Sequence, residues 1–108
     1  IPRNIAVGMM MTGRMVSAPE MARYGLVNAV VPMADLDAEV DAWVADILTA
    51  APLSLRAIKA LVRETPDMPA HEAFMRQTPE LILALNSEDA NEGVVAFREK
   101  RPPIWKGR

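Results

Sequence analysis

Cysteine is absent from this chain of 108 residues, which excludes disulfides, thiolate chemistry and a Cys-ligated zinc site. Histidine occurs once, at His71, and no His, Asp and Glu residues recur at metal-ligand spacing, so no metal site is read. Glycine is too sparse and too scattered for a G-x-G-x-x-G or P-loop cradle. No apolar run approaches the roughly 20 residues that span a bilayer, and no charged segment leads into an apolar one as in a secretory leader. Together these absences lead us to expect a cytoplasmic protein without a membrane partner. The opening Ile1-Pro2-Arg3, in place of Met, leads us to expect a preceding segment.

The net charge of −2 hides an uneven distribution. Asp35, Asp37, Glu39, Asp41 and Asp46 fall in a stretch free of Lys and Arg, which reads as a solvated helix face. From Gly93 onward, Arg98, Lys100, Arg101, Lys106 and Arg108 face only Glu99. Five interrupted cations are too few for a nucleic-acid patch but enough for one phosphorylated small molecule. With the rigid Pro102-Pro103 and Trp105 beside them, they suit a flat, negatively charged ligand.

Periodicity predicts a mainly α chain. A short apolar helix covers 4–12, stopped by Gly13. Ser17-Ala18-Pro19-Glu20 has the form of a capping box opening a helix that ends at Gly25. The β-branched run 26–31, closed by Pro32, is the one strand-like segment; without a partner strand it must otherwise be an extended connector. Leu36, Val40, Trp43, Val44, Ile47 and Leu48 then form a single stripe at the helical period. Pro52 opens a helix with Leu55, Ile58, Leu61 and Val62 on its apolar side, stopped at Thr65-Pro66. A further helix from Pro69 carries Phe74, Leu81, Ile82 and Leu85, and Pro79 should kink or split it near Gln77-Thr78. The last helix starts at Ser87 or Asp89 and ends before Pro102.

Catalytic groups are missing. His71 lies between Ala70 and Glu72 with no positioned partner and reads as solvent-facing. Ser17 and Ser87 read as helix caps, and Glu88, Asp89 and Glu92 as capping and dipole complementation at a helix start. The eight methionines read as core or subunit packing. No residue of the chain is assigned a catalytic role.

Three motifs in order carry a resemblance: Met11-Thr12-Gly13-Arg14-Met15-Val16-Ser17-Ala18, Gly25-Leu26-Val27-Asn28-Ala29-Val30-Val31-Pro32, and the tail Ser87-x-Asp89-x-x-Glu92-Gly93-x-x-Ala96-Phe97-x-Glu99-Lys100-Arg101-x-Pro103-x-Trp105. The chain resembles the C-terminal third of the crotonase (enoyl-CoA hydratase/isomerase) superfamily. The resemblance implies residues 1–108 as a helical, trimerising and CoA-covering domain, from which the N-terminal spiral α/β catalytic domain is absent. It implies an acyl-CoA substrate, reversible hydration of a trans-2-enoyl-CoA through an enolate, and no cofactor, coenzyme A being part of the substrate. Assembly as a homotrimer or hexamer is implied too, as are an oxyanion hole and two glutamates upstream. Phe97 and Lys100 match positions serving the CoA adenine and phosphate, and Leu81 falls where hydratases carry a Phe lining the acyl side. The alternative is a free-standing helical interaction module without catalytic activity.

Overall fold

The computed structural model describes residues 1–108, and every regular element in it is helical. The chain divides into two compact units, Ile1–Val44 and Ala45–Arg108.

In the first unit, α1 (Arg3–Thr12) ends on Gly13, whose left-handed φ of 62° closes the helix by donating its N–H to Met9 O. In α2 (Ala18–Arg23) the Ser17 hydroxyl accepts the Glu20 N–H at 3.4 Å. The capping box is only half made, because the Glu20 carboxylate turns away from the Ser17 amide. It accepts instead from Arg14 at 3.0 Å and from the Tyr24 hydroxyl at 3.5 Å. Gly25, at φ 75°, reverses the chain after α2, as the sequence leads one to expect.

Residues 26–31 form no strand. Leu26 still donates back to Met21 O, and residues 29–31 run without regular structure into a 3-10 turn at Met33–Asp35. β-branched composition favours a pleated strand only where a neighbour takes up the ladder, and no second strand exists here. Of the two readings, the connector is the one realised.

Helix α3 (Leu36–Leu48) follows the turn and keeps its stripe at the expected period. All six stripe residues are nonetheless 45–71 % exposed. Asp37 and Glu39 lie in the first turn, where they complement the helix dipole.

The second unit is built on α4 (Pro52–Glu64) packed against α6 (Pro79–Leu85), with α6 in turn meeting α7 (Glu88–Glu99). The buried face of α4 differs from the one expected. Leu53 and Ala57 are buried with Ala84 of α6, and Leu81 packs against them, whereas Ile58 and Val62 are exposed. Alanines at 57 and 84 let the two helix backbones approach closely, so small residues rather than the largest ones mark the contact.

Pro79 does split its helix. Helix α5 (Ala70–Met75) stops, Arg76 turns extended, and α6 restarts with Pro79 in its first turn and Thr78 as N-cap. Thr78 is fully buried and accepts the Leu81 N–H at 3.1 Å. Arg76 of the connector donates to Glu64 at 2.9 Å through Nε, tying the break to the end of α4. The split also parts the expected apolar side, leaving Phe74 on α5 exposed and Leu81 on α6 half-buried.

Candidate functional site

Helix α7 opens on Ser87, whose hydroxyl accepts the Ala90 N–H at 3.1 Å. The serine thus supplies the cap, and Asp89 and Glu92 are free for another task, contrary to their expected role as a capping pair. Spaced by three residues, they share one helix face and hold the tail that follows the helix.

Asp89, only 2 % exposed, accepts the Lys106 N–H at 2.7 Å on Oδ1 and the Gly107 N–H at 2.8 Å on Oδ2. Glu92 accepts Arg101 Nη1 at 2.6 Å and Nη2 at 3.0 Å in a fork, and also the Ile104 N–H at 2.8 Å. Glu88 pairs with Lys106 Nζ at 3.0 Å and Arg108 Nε at 3.1 Å, and its own N–H donates to Arg108 O at 2.7 Å. Gly93 completes the face. A Cβ there would lie 3.4 Å from the Trp105 ring, so the indole packs directly over this position. Trp105 is therefore half-buried, with Nε1–H donated to Thr49 O at 2.8 Å. The indole that the sequence offered to a flat ligand is spent on binding the tail to its own unit.

This clasp changes the meaning of the basic tail. Arg101 is paired with Glu92 and Glu99, and Lys106 and Arg108 with Glu88. Arg98 and Lys100 are the tail cations without a carboxylate partner. Lys100 terminates α7 in the left-handed region at φ 55°, the only non-glycine residue with positive φ. Its N–H donates to Phe97 O at 3.3 Å while the Arg101 N–H reaches Ala96 O at 3.1 Å, a Schellman closure that glycine would fill without strain. Phe97, one turn earlier, is 88 % exposed.

Phe97 and Trp105 also border an open groove of about 440 Å³ with Ala51, Ser54, Asp89 and Val94. The structure thus gathers Phe97 and Lys100 at the end of α7. Leu81 is not among the lining residues of that groove and spends its contact on the Leu53–Ala57–Ala84 core.

The ionic environment fixes how the clasp responds to pH. The Arg101 fork first, then the Ile104 N–H, holds the Glu92 carboxyl down at about 2 from the ordinary 4.5. Hydrogen bonding from Lys106 and the charge of Arg108 lower Glu88 as well, and Glu92 and Glu99 raise Arg101. A depressed folded-state value means stability fully present above the unfolded value of 4.5 and lost as pH falls toward 2. The hold of Glu92 on the tail is therefore expected to be complete from neutral pH down to about 4.5 and to weaken progressively from there toward pH 2. In a Trp43→Phe background the emission of Trp105 reports this; release centred between pH 5 and 7 would contradict it.

His71 is exposed, 3.7 Å from Glu72, and Ser17 and Ser87 serve as caps. No three His, Asp or Glu side chains converge as metal ligands, and no helix is long and apolar enough to cross a membrane. The clasp was the feature missed from sequence. Its signal was present: two acids three residues apart, followed by Gly93, with no capping work left after Ser87.

Comparison with known proteins gives this arrangement its context. The sequence profile of the Enoyl-CoA hydratase/isomerase family matches residues 1–108. Carnitinyl-CoA dehydratase of Shigella flexneri is 40 % identical, the match covering 100 % of this chain and 43 % of that protein. A crystal structure of enoyl-CoA hydratase from Mycobacterium marinum superposes with a TM-score of 0.85 at 37 % identity, over 100 % of this chain and 43 % of the other. That of Mycobacterium smegmatis gives 0.87 at 33 %, over 97 % and 41 %. The chain spans less than half the length of these relatives, and the helical layer described above corresponds to part of their fold. It belongs to the enoyl-CoA hydratase/isomerase family.

Proposed function

We propose that residues 1–108 are the helical C-terminal, CoA-covering part of an acyl-CoA enzyme whose catalytic groups lie outside them. The reaction proposed is reversible hydration of a trans-2-enoyl-CoA through a thioester enolate. Carnitinyl-CoA dehydratase, by its name, acts on a CoA substrate in the dehydrating sense of the same chemistry. Enolate formation calls for an oxyanion hole and positioned acid–base groups. We place these groups outside residues 1–108, in keeping with a match that covers only 43 % of the dehydratase. Assembly as a trimer or paired trimers is part of the same proposal.

One observation carries the assignment of this chain to the CoA end of the substrate. Lys100 keeps its ammonium free of carboxylates in a tail where three of its neighbours are neutralised, and it does so in a backbone conformation that lysine disfavours. A strained non-glycine residue persists where the surroundings enforce it and often where function uses it. Phe97 stands exposed one turn away, suited to pack on a flat base. Leu81 keeps its proposed place at the acyl side on the resemblance alone, because its packing is spent on the core.

The test separates charge from backbone. In the complete enzyme, Lys100→Ala is expected to raise KM for acyl-CoA with little change in kcat, as loss of uniform binding does. The penalty should shrink at high salt and vanish for pantetheine thioesters, which lack the nucleotide phosphates. Lys100→Gly removes the same charge but relieves the left-handed strain, so it should stabilise the fold by about 1 kcal/mol while binding no better than Lys100→Ala. Equal KM changes for CoA and pantetheine thioesters would return Lys100 to the role of a helix cap. The interaction-module reading explains the exposed apolar faces but leaves the three ordered motifs without a reason. An in-frame upstream segment encoding a Gly-Gly oxyanion loop and candidate glutamates decides for the enzyme, and a start codon immediately before Ile1 decides for the module.

A further inference from the structure

We propose that Glu92 is a positioning residue for Lys100, acting through the guanidinium of Arg101. The inference rests on the reading of Lys100 as a CoA contact and adds what holds that lysine in place.

Arg101 is gripped on every side. Its Nη1 and Nη2 enter the Glu92 fork, its Nε meets Glu99 at 2.7 Å, and its N–H closes on Ala96 O. Lys100 is the residue immediately before it, at φ 55°. Left-handed backbone costs a side-chain-bearing residue enough that it relaxes unless both flanks are fixed. The helix fixes one flank through the bond from Lys100 N–H to Phe97 O. Glu92 fixes the other, because the fork ties the residue after Lys100 to a carboxylate more than two turns back on the same helix.

The grip has a second consequence. Glu92 and Glu99 are the acidic side chains bound to this turn, and Arg101 engages both. With both carboxylates committed, the Lys100 ammonium is left for an external anion. Loosening the fork would let the turn relax, which weakens binding by way of the same lysine. Glu92 acts here only through the Arg101 guanidinium, and its effect should therefore disappear when Lys100 is gone.

A double-mutant cycle in the complete enzyme tests this, with KM for a CoA thioester and for the matching pantetheine thioester as readouts. Lys100→Ala should raise the CoA KM roughly tenfold, the scale of one charge-assisted phosphate contact. Glu92→Gln should raise it roughly threefold to fivefold, spare the pantetheine thioester, and add nothing in the Lys100→Ala background. Amide exchange at Lys100 and Arg101, measured on the complete enzyme, should quicken in Glu92→Gln. Should Glu92→Gln fail to fold, Arg101→Lys keeps the charge, loses the fork and should give the same pattern. Additive effects, equal effects on both thioesters, or a fall in stability with KM unchanged would overturn the positioning role while leaving Lys100 as a CoA contact. An unchanged CoA KM in Lys100→Ala alone would instead overturn the CoA reading, and this inference with it.

Discussion

The purified 108-residue chain is expected to turn over no enoyl-CoA. Hydration needs a base to activate water, an acid to deliver the α-proton and donors aimed at the thioester oxygen. A positioned acid–base group contributes typically about 10²–10⁴ in rate and one oxyanion donor about 10²–10³. With none of these present, the rate should fall to that of free solution. The acids gathered at the clasp are committed to the tail, and the one histidine lies apart from them. Asp89 and Glu92 are spent on tail amides and Arg101, Glu88 on two cations, and His71 stands exposed beside Glu72. Loss of enoyl absorbance with crotonyl-CoA, compared between the chain and a denatured control, measures this. Turnover above the control would show that a catalytic group has been overlooked and would remove the case for a separate catalytic part.

The helices were legible because their boundaries are written locally. Gly13, Gly25, Ser17, Ser87 and Pro79 act on the backbone within a few residues of themselves, and each did what its chemistry dictates. The failures share a different cause. Which face of α4 is buried depends on what packs against it, and Ala57 opposite Ala84 invites a close approach that a ranking by side-chain size passes over. The fate of 26–31 depends on a partner strand, which no local pattern supplies. Glu20 offered a capping box but found Arg14 and Tyr24 nearer. Asp89 and Glu92 were read as local because most acids at a helix start are local, yet their partners lie 9 to 18 residues downstream. The same long-range step decided the candidate site. Composition offered five cations as equals and the resemblance picked out Lys100, while the paired geometry leaves both Arg98 and Lys100 uncommitted.

The isolated chain is expected to self-associate through its apolar faces. The six stripe residues of α3 are about half exposed or more, as are Ile58 and Val62 of α4, and Phe74 of α5 is 88 % exposed. Monomeric soluble proteins seldom leave contiguous apolar area beyond a few hundred Å² uncovered. Fully burying a large apolar side chain is worth about 1.5–3 kcal/mol, so covering the exposed half of the α3 stripe recovers on the order of 5–9 kcal/mol. Association itself costs roughly 4–15 kcal/mol in lost freedom, which α3 alone barely offsets. With the faces of α4 and α5 also uncovered, the balance moves toward association at micromolar concentration. The acidic residues near α3 and the cations Arg56, Lys59 and Arg63 of α4 offer a competing, charge-driven cause, and salt separates the two. Apolar association strengthens in sulfate, whereas charge pairing between exposed groups weakens as ionic strength rises. Sedimentation should therefore give a species larger than the monomer, growing with sulfate and accompanied by ANS binding. Val44→Glu with Ile47→Lys, two substitutions on the exposed stripe, should shift it toward the monomer without loss of helical circular dichroism. A monodisperse monomer that binds no ANS would show that these faces are content in water, and an oligomer dissolved by salt would assign the association to charge.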